Sequence, residues 1–177
     1  MQMKIGVLLA VILVALTGCY DSQNKSTKIT LSPTPVPKSS YDFKLSAIEQ
    51  EVYNNFQKDL NEQHLKGLEP ISIAKLFIQA QLDDNYEVVY ALYTDKDVLW
   101  TKEEDEKTPD SDRATNEQTL ETYNNIETGK FIQTGDFEGY IEYRSDRDAE
   151  DNAENMSGFR MIKDDDGIWN VSFMPIQ

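Results

Sequence analysis

Cysteine and histidine are almost absent from this chain of 177 residues, which has one of each, Cys19 and His64. A single cysteine cannot form a disulfide within the chain, and it cannot supply the ligands of a cysteine-rich metal site. The sequence also has no Walker loop, no GxSxG nucleophile elbow and no HExxH metal helix. P-loop nucleotide hydrolysis, serine-hydrolase chemistry and zinc-peptidase chemistry are therefore not indicated.

Basic residues are scarce as well. The chain has 17 lysines and arginines against 32 aspartates and glutamates, a formal net charge of −15. Thirteen of these basic residues and 31 of the acidic ones lie in residues 41–177, so this part alone carries −18. A segment this acidic is repelled by nucleic acid and by anionic lipid headgroups. We therefore predict no nucleic-acid partner, while acidity by itself is typical of a soluble exported domain.

The longest apolar run lies at the N-terminus, where the twelve residues from Ile5 to Leu16 include no polar side chain. One positive charge, Lys4, precedes this run, and small or weakly polar residues follow it. Crossing a bilayer as a helix takes roughly 20 apolar residues, so the run is too short for a permanent anchor. The arrangement is typical of an export signal.

The end of this run, Leu16-Thr17-Gly18-Cys19, resembles the lipobox of bacterial lipoproteins. The resemblance implies that a diacylglyceryl group is attached to Cys19 and that signal peptidase II cuts between Gly18 and Cys19. Residues 1–18 would then be a lipoprotein signal peptide. Two acyl chains give stable membrane attachment, whereas one is marginal. The predicted location is the cell membrane, with the lipid anchor on its extracytoplasmic face.

A polar segment follows the lipobox. Residues 19–40 are rich in Ser, Thr, Lys and Pro, and Pro33, Pro35 and Pro37 alternate with other residues. Such a composition cannot bury enough apolar surface to fold, so a disordered tether is predicted. A flexible tether of this length would hold the following domain roughly 25 Å from the membrane. Residues 41–177 have the size of a single domain with its own core.

The domain is predicted to begin with an additional helix over about residues 46–66. Ser46 and Glu49 have the spacing of a capping box, in which each side chain accepts from the backbone N–H of the other. Gly67 supplies a stop signal. The apolar residues of this helix recur at every fourth position: Ile48, Val52, Phe56 and Leu60.

Two further helices are predicted to follow, joined by a tight polar turn. Pro70 can begin the first helix without losing a needed N–H, and Asp84 or Asn85 can cap the second. Helical periodicity places a set of apolar residues toward the core. They are Ile73, Leu76, Phe77 and Ala80 in the first helix, with Val89, Leu92 and Tyr93 in the second.

The pattern becomes irregular after Tyr93. The letters DVLW (97–100) favour a short strand, and KEEDEKTPDSD (102–112) favours an exposed acidic loop. Thr115 with Gln118 has the spacing of a second capping box, so a helix is predicted to begin there.

Alternation of apolar and polar residues marks the C-terminal part as β-structure. In DFEGYIEYR (136–144), the predicted inward residues are Phe137, Ile141 and Tyr143, and the outward residues are Glu138, Glu142 and Arg144. GFRMIK (158–163) and IWNVSF (168–173) flank Asp166-Gly167, a strong hairpin signal. Helices followed by antiparallel strands predict an α+β fold, with N-terminal helices packed on one face of a curved sheet.

Two segments, PISIAKLFIQAQLDDNYEVVYALYTD (70–95) and GFRMIKDDDGIWNVSFMPI (158–176), resemble parts of the nuclear transport factor 2-like, or SnoaL-like, superfamily. The resemblance covers about residues 70–177 and implies a cone-like fold whose open end can enclose a ligand. Enzymes of the superfamily, as the resemblance implies, are isomerases, dehydratases and epoxide hydrolases with Asp, His or Tyr inside the cone. The fold alone does not imply such an activity.

A tyrosine and carboxylate pocket is the candidate site for catalysis. Tyr90, Tyr93 and Trp100 could face the cone cavity, with Asp95 or Asp97 near its mouth. A desolvated carboxylate has a raised pKa, which suits general acid–base chemistry. Tyrosines at helical spacing are more commonly core residues, so binding is favoured over catalysis.

Metal binding is the other chemistry that the residues suggest. His64 lies in the polar segment NEQHLKG, where a surface position is predicted. The segment DRDAEDNAEN (146–155) has the density of oxygen ligands that calcium requires. An EF-hand loop starting at Asp146 would need glycine and glutamate where the chain has Asp151 and Ser157. We therefore predict neither a metal site nor a cofactor.

These observations favour an exported, lipid-anchored cell-envelope protein with a non-catalytic binding or interaction domain. Its partners would be the membrane, through diacylglyceryl-Cys19, and a protein or small ligand, with a homodimer left open. One alternative is a small-molecule enzyme or ligand-sequestering protein that uses the cone cavity. A weaker alternative is calcium-dependent adhesion or sensing through acidic loops that include Asp146, Asp148 and Glu150.

Overall fold

The computed structural model describes residues 43–96, 101–144 and 156–176. The α-helices in these ranges are α1 (Ala47–Asp59), α2 (Pro70–Leu82), α3 (Tyr86–Ala91), α4 (Lys102–Glu106) and α5 (Asn116–Thr122). Short 3₁₀ helices span Glu62–Leu65, Asp110–Asp112 and Ile126–Thr128. None of the helices in these three ranges has the length and apolar character needed to cross a membrane.

The strands form one antiparallel sheet in chain order. They are β1 (Lys130–Gln133), β2 (Glu138–Arg144), β3 (Met156–Lys163) and β4 (Trp169–Ile176). A short parallel bridge joins the residues after α3 to β4: the N–H of Thr94 donates to the carbonyl of Val171 at 2.9 Å. The predicted α+β class is therefore confirmed, with helices preceding an antiparallel meander.

Helix α1 begins at the predicted capping box. The backbone N–H of Ser46 donates to Glu49 Oε2 at 2.7 Å, and the N–H of Glu49 donates to Ser46 Oγ at 3.3 Å. The predicted continuous helix over 46–66 is wrong, because α1 ends at Asp59. Leu60 takes a left-handed conformation (φ 55°), which a helix cannot continue, and a separate 3₁₀ helix follows.

The buried face of α1 also differs from the predicted stripe. Ile48 is 70% exposed, whereas Glu49, Tyr53 and Phe56 are buried. The reason lies in α2 and its C-terminal turn: Lys75 pairs with Glu49, and the Tyr53 hydroxyl donates to Asp83 Oδ2 at 2.9 Å. Phe56 of the predicted stripe is buried, and Val52 and Leu60 pack against the core, so Ile48 is the stripe residue that departs from the prediction.

Helices α2 and α3 follow the sequence prediction closely. Pro70 is the first residue of α2, and Asn85 caps α3 by accepting from the backbone N–H of Val88 at 3.4 Å. The predicted core residues of α2 are fully buried: Ile73, Leu76, Phe77 and Ala80. Those near α3 are buried or half-buried: Val89, Leu92 and Tyr93.

The acidic segment after residue 100 is exposed, as predicted, but it is not only a loop. It forms α4 and a 3₁₀ turn at Asp110–Asp112. Thr101 caps α4, since the Glu104 N–H donates to Thr101 Oγ1 at 3.2 Å. The predicted strand at 97–100 lies outside the described residues. The second capping box is confirmed, since the Gln118 N–H donates to Thr115 Oγ1 at 3.3 Å and α5 follows.

One face of the sheet, here called the inner face, supplies the core. Its residues are at most 2% exposed: Ile141, Tyr143, Phe159, Met161 and Val171. Phe77 of α2 meets Phe159 edge to face, with ring centroids 5.9 Å apart. Phe159 also meets Tyr123 at 5.7 Å, just after α5. Interlocking side chains therefore occupy the inner face.

Phe137 was predicted to point inward, but it is 56% exposed. β2 begins one residue later, and the ring of Phe131 from β1 occupies the inner face at this level. A Cβ on Gly139 would lie only 2.6 Å from the Phe131 ring. Phe137 instead lies beneath the ammonium group of Lys96, 4.7 Å from its ring centroid.

The predicted hairpin between β3 and β4 is present. Gly167 has φ 84°, a conformation that glycine adopts without a steric penalty. Its N–H donates to the carbonyl of Asp164 at 3.0 Å, and Asp166 Oδ1 accepts from the N–H of Ile168 at 3.0 Å. Strand β1, only four residues long, was not predicted.

Candidate functional site

The opposite, outer face of the sheet carries a trough across β2 and β3, with Thr134 after β1 at its edge. Its volume is about 420 Å³, which is at the small end of the range for ligand sites. We call it the outer-face trough. It is lined by Thr134, Glu138, Gly139, Tyr140, Glu142, Met156, Ser157, Gly158 and Arg160.

Strand register brings these residues together. In the antiparallel pairing of β2 with β3, Tyr140 is opposite Arg160 and Glu142 is opposite Gly158. Because side chains alternate between faces, residues 138, 140 and 142 share the outer face. Gly158 is half-buried, has no side chain and lines the trough beside Glu142.

Arg160 is a cationic residue of the trough, and Ser172 and Glu138 are among its partners. Its Nη1 donates to Ser172 Oγ at 3.1 Å, and its Nη2 lies 3.6 Å from Glu138 Oε2. Ser172 is fully buried, whereas the Arg160 side chain remains 37% exposed. A buried hydroxyl therefore orients the guanidinium, which is still accessible to a ligand.

Glu142 is the second carboxylate of the trough, after Glu138. Within the described ranges it makes neither a hydrogen bond nor an ion pair. Its neighbours on the outer face are Tyr140 on the same strand and Lys130 opposite it on β1. The trough thus combines a carboxylate, a guanidinium, a phenol and the Met156 thioether, a set that can bind a polar ligand with a short apolar part.

The outer face has a charge balance unlike that of the whole domain. Alternation places three basic side chains on it, Lys130, Arg144 and Arg160, against the two carboxylates of Glu138 and Glu142. The segment 41–177 as a whole carries −18. The trough, with Glu138, Glu142 and Arg160 among its lining residues, therefore presents both signs of charge in an acidic domain.

The predicted tyrosine pocket is divided in the structure. Tyr90 lines one cavity of about 240 Å³, and Tyr93 lines another of about 220 Å³. The two cavities have three lining residues in common: Tyr86, Thr108 and Arg113. Tyr93 is half-buried against Phe77, so its ring belongs partly to the core.

Arg113 is a residue of this region that the sequence analysis missed. Its guanidinium lies 3.6 Å from the centroid of the Tyr86 ring, within the range of a cation–π contact. The only available signal was an isolated arginine in an acidic stretch, and nothing in the sequence related it to Tyr86.

The remaining predicted pocket residues are not brought together. Asp95 is exposed and does not line either tyrosine cavity, while Trp100 and Asp97 lie outside the described residues. Asp95 is instead near Glu62. Burial, followed by the negative charges of Asp166, Asp95 and Asp164, raises the pKa of Glu62.

Three further predictions concern His64, calcium binding and the lipid anchor. Only His64 lies in the part of the chain that the structure describes. His64 Nε2 lies 3.1 Å from Asp59 Oδ1, near the surface. The acidic segment with Asp146, Asp148 and Glu150, and the lipobox with Gly18 and Cys19, lie outside the described residues. In the described part of the chain, no three His, Cys, Asp or Glu side chains form a group that could hold a metal ion.

Comparison with known proteins adds no relative. Neither a protein-family model, nor a curated protein, nor a solved structure matches this chain.

Proposed function

We propose that the chain is an exported lipoprotein, anchored to the extracytoplasmic face of the membrane through Cys19. The support is the apolar run that ends in Leu16-Thr17-Gly18-Cys19. Cys19→Ser should abolish labelling by radioactive palmitate and leave residues 1–18 uncleaved. Thr17→Ala keeps the motif and should label normally. A labelled and membrane-bound Cys19→Ser protein would contradict the anchor.

We further propose that residues 41–177 are a non-catalytic binding module whose site is the outer-face trough. One observation carries this proposal: the inner face of the sheet is occupied by interlocked side chains, whereas the outer face has an open trough with accessible charges. Small-molecule sites are concave and combine apolar walls with a few placed polar groups. The outer-face trough has this composition.

For the fold, we propose the curved, cone-like sheet that the nuclear transport factor 2-like resemblance implies. Its support is the order of elements from Pro70 onward, in which two helices precede an antiparallel meander. In such a cone, ligands would be expected at the open end. Here α2 and the inner face are interlocked, which is why the proposed site lies on the other side of the sheet.

A fragment screen by crystallography tests the binding module directly. Crystals of the full chain are soaked with cationic, anionic, zwitterionic and uncharged fragments. We expect fragments of at least one class to occupy the outer-face trough, and Gly158→Leu, which fills the space beside Glu142, to exclude them. An empty trough after all soaks would contradict the proposal.

The alternative is a small-molecule enzyme or ligand-sequestering protein that uses the region of Tyr90 and Tyr93. The two adjacent cavities with Arg113 between them favour it. Fragments that collect there and avoid the trough would favour this alternative. Calcium-dependent adhesion would require thermal stability to rise with calcium, and the gain to disappear when Asp146, Asp148 and Glu150 are neutralised together.

A further inference from the structure

We propose that the outer-face trough binds a short peptide in its zwitterionic form, with the ammonium group at Glu142 and the carboxylate at Arg160. This inference rests on the proposed function, because it takes the trough as the binding site. It adds the chemical class of the ligand and the role of each charged side chain.

The charges of the trough determine which charges its ligand must carry. Arg160 presents a partly exposed guanidinium that Ser172 and Glu138 orient, and a guanidinium can donate a charge-assisted hydrogen bond to a carboxylate. Glu142 presents a carboxylate to which an ammonium can donate. A ligand that uses both groups needs one positive and one negative end.

The strand positions of Glu142 and Arg160 suggest the length of the ligand. Glu142 is opposite Gly158, and Arg160 lies two residues further along β3, so Glu142 and Arg160 are diagonal neighbours on the same face. The Cα atoms of diagonal neighbours on antiparallel strands are about 7–8 Å apart. Two extended residues span at most about 7 Å. The ends of an extended dipeptide are therefore about as far apart as the two backbone positions that carry these side chains.

The region between the charged groups suits the body of such a peptide. Tyr140 is opposite Arg160 and two residues from Glu142 on the same face, so this half-buried residue is a neighbour of both charged residues. Met156 adds an apolar and adaptable wall near Gly158. The volume of about 420 Å³ also leaves room for small side chains.

The net charge of the whole domain also favours a zwitterionic ligand. A domain that carries −18 repels an anionic ligand at long range and attracts any cation to many places on its surface. A zwitterion has no net charge, so its affinity depends on local contacts. The outer face is suited to this role because it presents both signs of charge side by side.

The test titrates the full chain, held in nonionic detergent, with dipeptides. Binding is measured from the chemical shifts of the backbone amides. Three probes differ only at their ends: Ala-Ala, N-acetyl-Ala-Ala and Ala-Ala-amide. Ala-Ala should shift the resonances of Gly139 and Gly158, and blocking either end should weaken binding at least about tenfold, because each removes a charge-assisted hydrogen bond.

Variants assign each end to its residue. Glu142→Gln should bind Ala-Ala and N-acetyl-Ala-Ala equally, whereas Glu121→Gln, which removes one charge from exposed α5, should keep the tenfold preference. Arg160→Gln should lose the preference for a free carboxylate over an amide. These ratios would not change if Glu142 and Arg160 only supported the fold.

Other results would overturn the inference in distinguishable ways. If N-acetyl-Ala-Ala binds as tightly as Ala-Ala, or if fragments of another class occupy the trough while Ala-Ala does not, the ligand class is wrong and the binding module stands. If nothing enters the trough, both proposals fail. If sedimentation shows a dimer that Gly158→Leu dissociates, the face binds a second copy and the peptide inference is wrong.

Discussion

The inner and outer faces of the sheet are built from alternate residues of the same strands, yet they offer opposite chemistry. Ile141 and Phe159 are fully buried on the inner face, whereas their chain neighbours Glu142 and Arg160 remain accessible on the outer face. The buried side chains of the inner face pack against other parts of the fold. The comparison teaches that strand alternation can separate the groups that stabilise a domain from those open to a ligand.

The largest expected difference between the faces concerns aromatic truncation. Phe77→Ala should lower the free energy of unfolding by about 3–5 kcal/mol, because it removes a ring that packs against Phe159 and leaves a cavity. Tyr140→Ala on the outer face should cost less than about 1 kcal/mol. Urea denaturation of both variants measures the difference. Similar losses would show that the outer face also belongs to the core.

Ion pairs give the second comparison. The Glu49 and Lys75 side chains, between α1 and α2, are 8% and 12% exposed, whereas those of Glu138 and Arg160 are 53% and 37% exposed. Glu49→Gln leaves the buried ammonium of Lys75 without a charged partner, so we expect a loss of about 3 kcal/mol. Glu138→Gln should cost less than about 1 kcal/mol. Equal effects of the two substitutions in denaturation curves would contradict this ranking.

The same buried pair predicts a pH dependence. Burial by itself would raise the pKa of Glu49, but hydrogen bonds from Lys75 and Ser46 outweigh burial and hold the pKa below the ordinary value of 4.5. The contribution of Glu49 to stability is therefore present above pH 4.5 and is lost as the pH falls through the lowered pKa. Glu49→Gln should flatten this part of the stability curve, and an unchanged acid slope would argue against the pairing.

Two glycines of the sheet sharpen the comparison further. A Cβ on Gly139 would lie 2.7 Å from the carbonyl oxygen of Ile132 and 2.6 Å from the Phe131 ring. Gly139→Ala should therefore cost about 1–3 kcal/mol through overpacking. Gly158 is half-buried and lines the outer-face trough, so Gly158→Ala should cost less stability than Gly139→Ala. A larger loss at Gly158 than at Gly139 would reverse the assignment of the faces.

The smallest expected effect concerns Glu62, whose charge faces other carboxylates among the described residues. Burial and the charges of Asp166, Asp95 and Asp164 raise the pKa of Glu62, so the ionised form destabilises the fold. Glu62→Gln should stabilise the protein by up to about 0.5 kcal/mol at pH 7. The gain should vanish as the pH falls through the raised pKa and the native carboxyl becomes neutral. A loss of stability at pH 7 would show that Glu62 has a favourable partner.

Local signals in the sequence were sufficient for much of the fold. The capping boxes at Ser46 and Thr115 and the hairpin at Gly167 depend on residues within a few positions of one another, so their physics is visible in the sequence. The predicted end of α1 was wrong because Leu60, an apolar residue in the periodic stripe, takes a left-handed conformation. Side-chain type gives little warning of that conformation.

Contacts between distant residues were not predictable in the same way. The burial of Glu49 in place of Ile48 depends on Lys75, which is 26 positions away. The outer-face trough depends on which residue of β3 lies opposite each residue of β2. Alternation identified Glu138 and Glu142 as outward residues, but the register that places Arg160 and Gly158 beside them comes only from the assembled sheet.

The central claim is that the inner face of the sheet provides stability and the outer face provides binding. The most direct test uses one variant, Gly158→Leu, and measures both its unfolding free energy and its occupancy by fragments in the trough. We predict a loss of unfolding free energy well below that of Phe77→Ala and no fragment in the trough. A loss as large as that of Phe77→Ala, or fragments that still bind beside Glu142, would contradict the claim.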